Sequence, residues 1–429
     1  LVINPYITDF KLYDEWMHPL GLYFLIDSLK RNRVQTFYFN CLKQNAKPKK
    51  YGTGHFECIE IEKPSLYENI KRKYKLYGCE KRELNEYLLS VDTPDLICVG
   101  SMMTYWSGGV VETVKIVKEI YPGIPVIIGG IAARLISGFF EKELPGCFTY
   151  DSILASNEIN IPEPVYTALK ALKEPVSFLG GLECLTRTNH GPLLLSLGCP
   201  MRCSYCASSV LQRHYYHRSL QNIISEVQYL YENFGVRDFA FYDDAVLLEP
   251  HEVLIPFFKK INDHGLSVRF HSPNGLHVRL ITQEISDLLM ENGFRTIRFG
   301  FESGNKKHAA DTNAKSSFDM LREKVTILRQ SGFEKQDIGV YIMGGLKDQD
   351  PQEMLAEAEY TSSLGVKVKP VFLSPVPCTA MFEYYSKMFP EIITNPLWHN
   401  DTFFITQLPQ WNSDSVEQIR LRVRALNNS

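Results

Sequence analysis

Residues 193–209 read LLLSLGCPMRCSYCASS. An apolar run, Leu193, Leu194 and Leu195, leads to Gly198, and Cys199, Cys203 and Cys206 then follow at the spacing C-x3-C-x2-C. Three thiols so close in the chain form a claw for a soft metal. Cubane iron–sulfur clusters take four ligands, usually thiolates, so this claw leaves one iron open to a ligand that is not protein. A structural zinc site instead closes with four protein ligands, often as two cysteine pairs. No second pair is present here, and His214 would have to complete such a site. Unliganded cysteines are the third reading.

Outward from the claw toward the C-terminus, strands and helices alternate. LLLSL, DFAFYDD (238–244), SVRFHSP (267–273), TIRFGFES (296–303), DIGVYIMGG (337–345) and KPVFLSP (369–375) read as strands, separated by helical patterns near 221–234, 251–264, 283–292, 318–332 and 351–364. Six such strands predict a partial (β/α)6 barrel over 191–380, with its functional groups at the carboxyl ends of the strands. Those ends carry the claw, then Tyr242, Asp243 and Asp244, then His271, Ser272 and Asn274, then Arg298, Glu302 and Ser303, then Met343, then Val376. Each has a structural alternative: Asp244 as a helix cap, Arg298 with Glu302 as a buried ion pair, and Tyr341 and Met343 as barrel core.

Toward the N-terminus, LVINPYI, TFYFN (36–40), DLICVGSMM (95–103) and PVIIGG (125–130) read as buried strands, with helical spacing from Pro19 and over 110–121. Apolar strands alternating with amphipathic helices predict a doubly wound parallel sheet over 1–160, interrupted by a polar insertion at 41–92 with a helix over 66–89. Residues 161–190, rich in proline and glycine, read as a linker. Residues 381–429 lack barrel periodicity and are expected to cover the open barrel. Ligands of doubly wound sheets lie beyond the carboxyl ends of the strands. Here those ends carry Met103, Thr104, Tyr105 and Trp106 after one strand and Gly129-Gly130 after another. Paired glycines admit a ligand close to backbone, and an aromatic pair covers a flat apolar face.

The claw, with aromatic Tyr205 just before its last cysteine, closely resembles the signature of the radical S-adenosylmethionine (radical SAM) superfamily. The resemblance implies a 4Fe-4S cluster on Cys199, Cys203 and Cys206, its open iron chelated by S-adenosylmethionine, and reductive cleavage of that molecule to a 5'-deoxyadenosyl radical. It also implies contacts to S-adenosylmethionine from Tyr205, Tyr242, Asp243, Asp244, Ser272, Arg298, Glu302, Met343 and Val376. At the second strand end the family often has a Gly-Gly-Glu-like element. Asp243 and Asp244 match it by position, with the glycines replaced.

About the first 140 residues, insertion excepted, resemble the cobalamin-binding domain that precedes many radical SAM barrels, through Asn4-Pro5, the Pro19-Leu20-Gly21-Leu22 helix start and the two strand ends. That implies cobalamin against Met103, Thr104, Tyr105, Trp106, Gly129 and Gly130. Two departures stand out. His18-Pro19-Leu20-Gly21 lacks the aspartate of D-x-H-x-x-G, because Trp16 holds its place, so no protein imidazole is expected on the cobalt. The stretch 148–164, FTYDSILASNEINIPEP, lacks the family's frequent G-x-G-E element.

The reaction so implied is methylation of an unactivated carbon in a small-molecule or peptide substrate held between the two domains, with electrons from a flavodoxin- or ferredoxin-type donor. The rivals are a ring closure, epimerisation or rearrangement in which cobalamin is absent or does not methylate, and a zinc-stapled binding module. Composition narrows the field further. The 429 residues exceed one ordinary core. A net charge of -3 and the lack of a basic appendage argue against a nucleic-acid partner. Seven of the ten cysteines are scattered outside the claw, as suits a reducing cytoplasm. Neither a membrane span nor a signal peptide is read.

Overall fold

Short runs of branched apolar residues build the first sheet. In the computed structural model, which describes residues 1–44, 47–155, 161–308, 311–312 and 317–429, strands β1 (Val2–Asn4), β3 (Tyr38–Asn40), β6 (Ile97–Val99), β7 (Val126–Ile128) and β8 (Cys147–Thr149) pair in parallel in the order β3-β1-β6-β7-β8. Successive side chains of a strand face opposite sides. Accordingly Ile3, Val99 and Ile128 join Val110, Val114 and Val117 of helix Ser107–Ile120 on one face. Val2, Cys98 and Ile127 join Leu22, Leu25, Ile26 and Leu29 of helix Leu20–Arg31 on the other. Helices on both faces of an all-parallel sheet make this doubly wound, as expected. The strand order reverses between β1 and β6, the point at which such sheets open a ligand crevice.

The insertion has a different local structure from the one its composition suggested. In place of one helix over 66–89, strands β4 (Cys58–Glu60) and β5 (Lys75–Tyr77) form an antiparallel sheet with β2 (Ile7–Asp9), and a helix runs only over Lys81–Ser90. Gly78 is the reason. Its φ of +140° ends the strand, and a Cβ there would lie 2.6 Å from the Tyr6 ring, so no side-chain-bearing residue and no continuous helix passes through it. Glu80 and Glu83 then start the short helix with a capping box.

The expected linker is also helical. Helices Glu163–Ala171 and Leu179–Leu182 belong to the first unit, with residues 1–189, 232–234 and 390–398. Gly181 seats the second of them, since a Cβ there would lie 2.3 Å from the Tyr23 Cα. Residues 156–160, within the stretch that lacks G-x-G-E, lie outside the described residues.

The second unit comprises residues 190–231, 235–389 and 399–429. Strands β9 (Gly191–Leu193), β12 (Asp238–Phe241), β13 (Arg269–His271), β14 (Phe294–Glu302), β15 (Ile338–Gly344) and β16 (Lys367–Phe372) lie side by side in chain order, all parallel, with β9 and β16 at the two edges. This is the six-stranded partial barrel expected from the alternation. Its core is aromatic: Phe241, Phe257, Phe258, Phe270 and Phe294 are each at most 1% exposed and touch one another ring to ring. Each such side chain contributes about 1.5–3 kcal/mol on burial. The edge at β16 is covered by the C-terminal helix Ser413–Asn428, where the Asn427 side-chain amide donates to the Val368 carbonyl (2.8 Å) and its oxygen accepts from the Val368 N–H (2.8 Å). An unpaired edge is thereby satisfied. Among the described residues no helix is long and apolar enough to cross a membrane.

Candidate active site at the carboxyl ends of the barrel strands

The LLLSL run does not continue as one strand. β9 ends at Leu193, and Ser196–Leu197 (β10) turns away to pair antiparallel with Tyr216–His217 (β11), so the three cysteines lie on the loop of a small ribbon. Asp243 makes this turn. Fully enclosed, its carboxylate accepts from the Leu195 N–H (3.1 Å to each oxygen), the Ser196 N–H (2.6 Å) and the Ser196 hydroxyl (2.7 Å). Burial pushes the carboxyl up to about 6 against the opposing pull of those donors. Asp243, expected at S-adenosylmethionine, is thus taken up by the backbone that launches the cysteine loop.

Its neighbour Asp244 has a solvent-exposed side chain, yet crowding by protein raises its carboxyl, with the Ser208 hydroxyl pulling the other way. Water contact together with crowding places it on the wall of a concavity. The Ser208 N–H in turn donates to the Cys206 sulfur at 3.5 Å.

The loop itself is tightly specified. Gly198 has a φ of +83°, and a Cβ there would lie 2.7 Å from the His214 carbonyl oxygen, so only glycine fits before Cys199. The Cys206 N–H donates to the Cys203 carbonyl (3.1 Å). Ser204 is held from outside the loop: its N–H and hydroxyl donate to the Asp311 carbonyl at 3.1 and 2.9 Å, while its own carbonyl accepts from the Met381 N–H at 2.9 Å. The returning arm is anchored by Arg218, 4% exposed, which forms a two-pronged ion pair with Glu226 (2.5 and 3.0 Å) and donates to the Leu194 carbonyl (2.8 Å). Its charge is therefore committed inside the protein and is not offered to an anionic substrate.

Several expected residues do converge on the loop. The Tyr205 hydroxyl is buried beside the Glu302 carboxylate and the Cys203 thiol. Burial, and then the Glu302 carboxylate and the Cys203 thiol, hold its phenol far above the usual range. Glu302 reaches this position through a bulge: the register of β14 on β15 shifts between Gly300 and Glu302, and Glu302 takes a φ of +60°. Bulges of this kind re-aim side chains beside active sites.

Between the ends of β12 and β13 lies a cavity lined by Asp243, Asp244, Ser272, Asn274, Gly275 and His277, among others. Asn274 spans it, donating to the Tyr242 and Asp243 carbonyls (3.0 and 3.3 Å), and the Ser272 hydroxyl donates to the Asn274 carbonyl (2.5 Å). Gly275 lets this segment lie against β14, because a Cβ there would be 2.6 Å from the Gly300 nitrogen.

The other expected positions are tied to neighbours in the second unit. Arg298 sits inside β14 rather than at its end, opposite Gly339, whose missing side chain leaves room for the guanidinium. Met343 and Val376 are half-buried, and their carbonyls accept from the Gln349 amide (3.0 Å) and the Thr379 hydroxyl (2.7 Å). His271 is fully buried between Asp238 and Thr296, 3.0 Å from each. Asn274 lies where the strand pattern put it, whereas Asp311 and Met381 are contributors that the pattern did not single out. Both reach Ser204 from more than 100 residues away in the chain.

In the first unit, the expected cobalamin contacts divide. Trp106 is buried, its indole N–H donating to the Asp9 carboxylate at 2.8 Å, and Thr104 is buried beside it, so the indole braces β2 and is not a free cover for a flat ligand. Met103 is 42% exposed, Tyr105 and Gly129 are half-buried, and Gly130 is exposed. The Ser101 hydroxyl donates to the Gly129 carbonyl (2.7 Å) and accepts from the Ala133 N–H (2.9 Å), which stitches the ends of β6 and β7 together. Gly130, at φ +97°, permits this, since a Cβ would lie 2.1 Å from the Ser101 carbonyl oxygen. His18 is buried with Nδ1 3.2 Å from the Tyr23 hydroxyl.

The loop, the barrel and its strand ends define a class. Residues 193–359 match the family model described as Radical SAM superfamily, so the chain carries a radical SAM domain. The chain is 22% identical over 196 residues to Uncharacterized methyltransferase PH0819 of Pyrococcus horikoshii, covering 45% of this chain and 41% of that one. It is 24% identical over 184 residues to Cytidylyl-2-hydroxyethylphosphonate methyltransferase of Streptomyces wedmorensis, covering 41% and 33%. The matches thus span less than half the length of these curated relatives. A structure of the radical S-adenosylmethionine methyltransferase TsrM from Kitasatospora setae, with cobalamin and a 4Fe-4S cluster bound, superposes with a TM-score of 0.67 over 99% of this chain and 88% of that one, at 14% identity. The fold is therefore shared through both units.

Proposed function

We propose that this chain is a cobalamin-dependent radical SAM enzyme that methylates an unactivated carbon. The observation that carries the reading is the glycine-launched three-cysteine loop at the carboxyl ends of six parallel strands, in a chain whose whole length follows the fold of a cobalamin-bound radical SAM methyltransferase. When bound, the cluster, S-adenosylmethionine and cobalamin supply a 5'-deoxyadenosyl radical and a transferable methyl group.

The residues present fit these groups. Cys199, Cys203 and Cys206 offer three soft ligands, and the Ser208 N–H already points at the Cys206 sulfur. Among the described residues no three His, Cys, Asp or Glu side chains converge on a single-ion position, the arrangement a zinc staple uses with ligands at about 2.0–2.3 Å. The buried Tyr205 hydroxyl, the bulged Glu302 beside it and the exposed Asp244 offer polar groups where S-adenosylmethionine would lie. Ser272 and Asn274 are occupied in shaping the floor. Beyond the carboxyl ends of β6 and β7, Gly129 and Gly130 leave bare backbone for a corrinoid, and Met103 and Tyr105 form its rim. The protein's part is placement and the exclusion of water. The substrate is a small molecule or a peptide, the donor a flavodoxin- or ferredoxin-type protein, and the setting a reducing cytoplasm.

Anaerobic purification and reconstitution test the reading. The chain is expected to bind iron, sulfide and cobalamin, and to form both 5'-deoxyadenosine and S-adenosylhomocysteine. A variant with Cys199, Cys203 and Cys206 all changed to Ala is expected to lose the visible iron–sulfur absorbance and the cleavage. Retention of both by that variant overturns the cysteine assignment. Formation of 5'-deoxyadenosine without S-adenosylhomocysteine selects a non-methylating radical reaction instead.

A further inference from the structure

Two cysteines far from the claw meet inside the first unit. Cys41 follows β3 and Cys79 follows β5, and they are 0% and 3% exposed. The Cys79 N–H donates to the Cys41 carbonyl at 2.7 Å, and the Cys41 N–H donates to the Asn4 carbonyl at 2.9 Å. A hydrogen bond between the two residues' own backbones limits their α-carbons to about 6 Å or less, from standard bond lengths. That lies inside the span of about 4.4–6.8 Å that disulfides bridge. The two thiols lie close enough for each to bear on the ionisation of the other. The Tyr6 hydroxyl stands 3.7 Å from the Cys79 sulfur, and Lys43, paired with Glu83, lies near it.

We propose that Cys41 and Cys79 are a redox modification site, a buried thiol pair that closes to a disulfide and staples the 41–92 insertion to the carboxyl edge of the five-stranded sheet. The partners differ in readiness. The Cys41 thiol and the Tyr6 hydroxyl hold the Cys79 thiol below its ordinary value against burial, whereas burial holds the Cys41 thiol well above its own. Cys79 is therefore the attacking thiolate. With a peroxide as oxidant, the Cys79 thiolate attacks one peroxide oxygen, giving the sulfenic acid and releasing hydroxide. The Cys41 sulfur then displaces the sulfenic oxygen, which leaves as water with the Cys41 proton. Two thiols lose two electrons, and one hydrogen peroxide becomes two waters. The insertion, which pairs with β2 through β5, thereby gains a covalent tie to the end of β3 beside Tyr6.

Peptide mapping of the full reconstituted chain tests this. The protein is treated with one equivalent of hydrogen peroxide, alkylated with iodoacetamide in denaturant and digested without reductant. The expected result is a linked pair of peptides containing Cys41 and Cys79, two hydrogens lighter than their sum and lost on reduction with dithiothreitol. Oxidised protein should also melt at a higher temperature than reduced protein. In Cys79→Ser, Cys41 should remain fully alkylated after the same treatment. The proposal is overturned if the surface residue Cys58 is oxidised while Cys41 and Cys79 are both recovered alkylated, or if either is linked to another cysteine. The wild-type map decides the matter even if the variant folds poorly.

Discussion

Glu357 shows how one buried carboxyl can shape the candidate site. It is 5% exposed, and the Ser303 hydroxyl donates to it at 2.6 Å, so it grips the residue next to the bulged Glu302. Burial pushes its carboxyl up to about 7. An unfolded glutamate titrates near 4.3, so between roughly pH 4.3 and 7 the folded chain binds more protons than the unfolded one. The stability this group adds is complete below that window and is lost as the pH rises through it. Glu357→Gln keeps an acceptor for Ser303 but cannot titrate. Its denaturation midpoint is expected to fall less between about pH 5 and 7.5 than that of the wild type, as measured by urea unfolding at each pH. Asp243 teaches the complementary lesson. A carboxylate at the expected strand end is not thereby a ligand group, because the nearest unsatisfied N–H groups, those of Leu195 and Ser196, claim it first.

At the scale of the element, the cysteine loop depends on its two arms. The outgoing arm needs Gly198, and the returning arm needs the Arg218–Glu226 pair, whose side chains are 0% and 2% exposed. Removing one partner of such a pair strands the other charge and costs about 3–5 kcal/mol. Glu226→Ala is therefore expected to lower the unfolding free energy by that order and to reduce the iron retained after reconstitution, though no side chain of the claw is touched. Calorimetry and iron analysis check both. The spacing C-x3-C-x2-C was legible because all its information lies in one short run. The antiparallel ribbon that carries it was not, since Ser196 pairs with His217 across the whole loop and two-residue strands leave no periodic trace. The 41–92 insertion was misread for a related reason: its polar residues allowed a helix, and only contact with Tyr6 shows why Gly78 forbids one.

For the whole molecule, two units with separate sheets and cores predict separable responses to ligands. A ligand present at 100 times its dissociation constant stabilises what it binds by about 2.7 kcal/mol. S-adenosylmethionine added to the reconstituted chain is expected to slow amide exchange in β12–β14, and hydroxocobalamin to slow it at the ends of β6 and β7. Mass-spectrometric hydrogen exchange reads both, and protection by hydroxocobalamin confined to the barrel would remove the corrinoid from the first unit.

By itself the sequence determined the chemistry of the claw and the alternation of strand and helix, because ligand spacing and apolar periodicity are local and survive without any knowledge of distant partners. The tertiary structure alone decided which polar groups are left over for ligands. Trp106 is claimed by Asp9, Asp243 by Leu195 and Ser196, and Arg218 by Glu226, while Tyr205 with Glu302, and the exposed Asp244, stay beside the cysteine loop. The reason is physical. A buried donor or acceptor must find a partner wherever the fold supplies one, and for the first two pairs that partner lies 97 and 47–48 residues away in the chain.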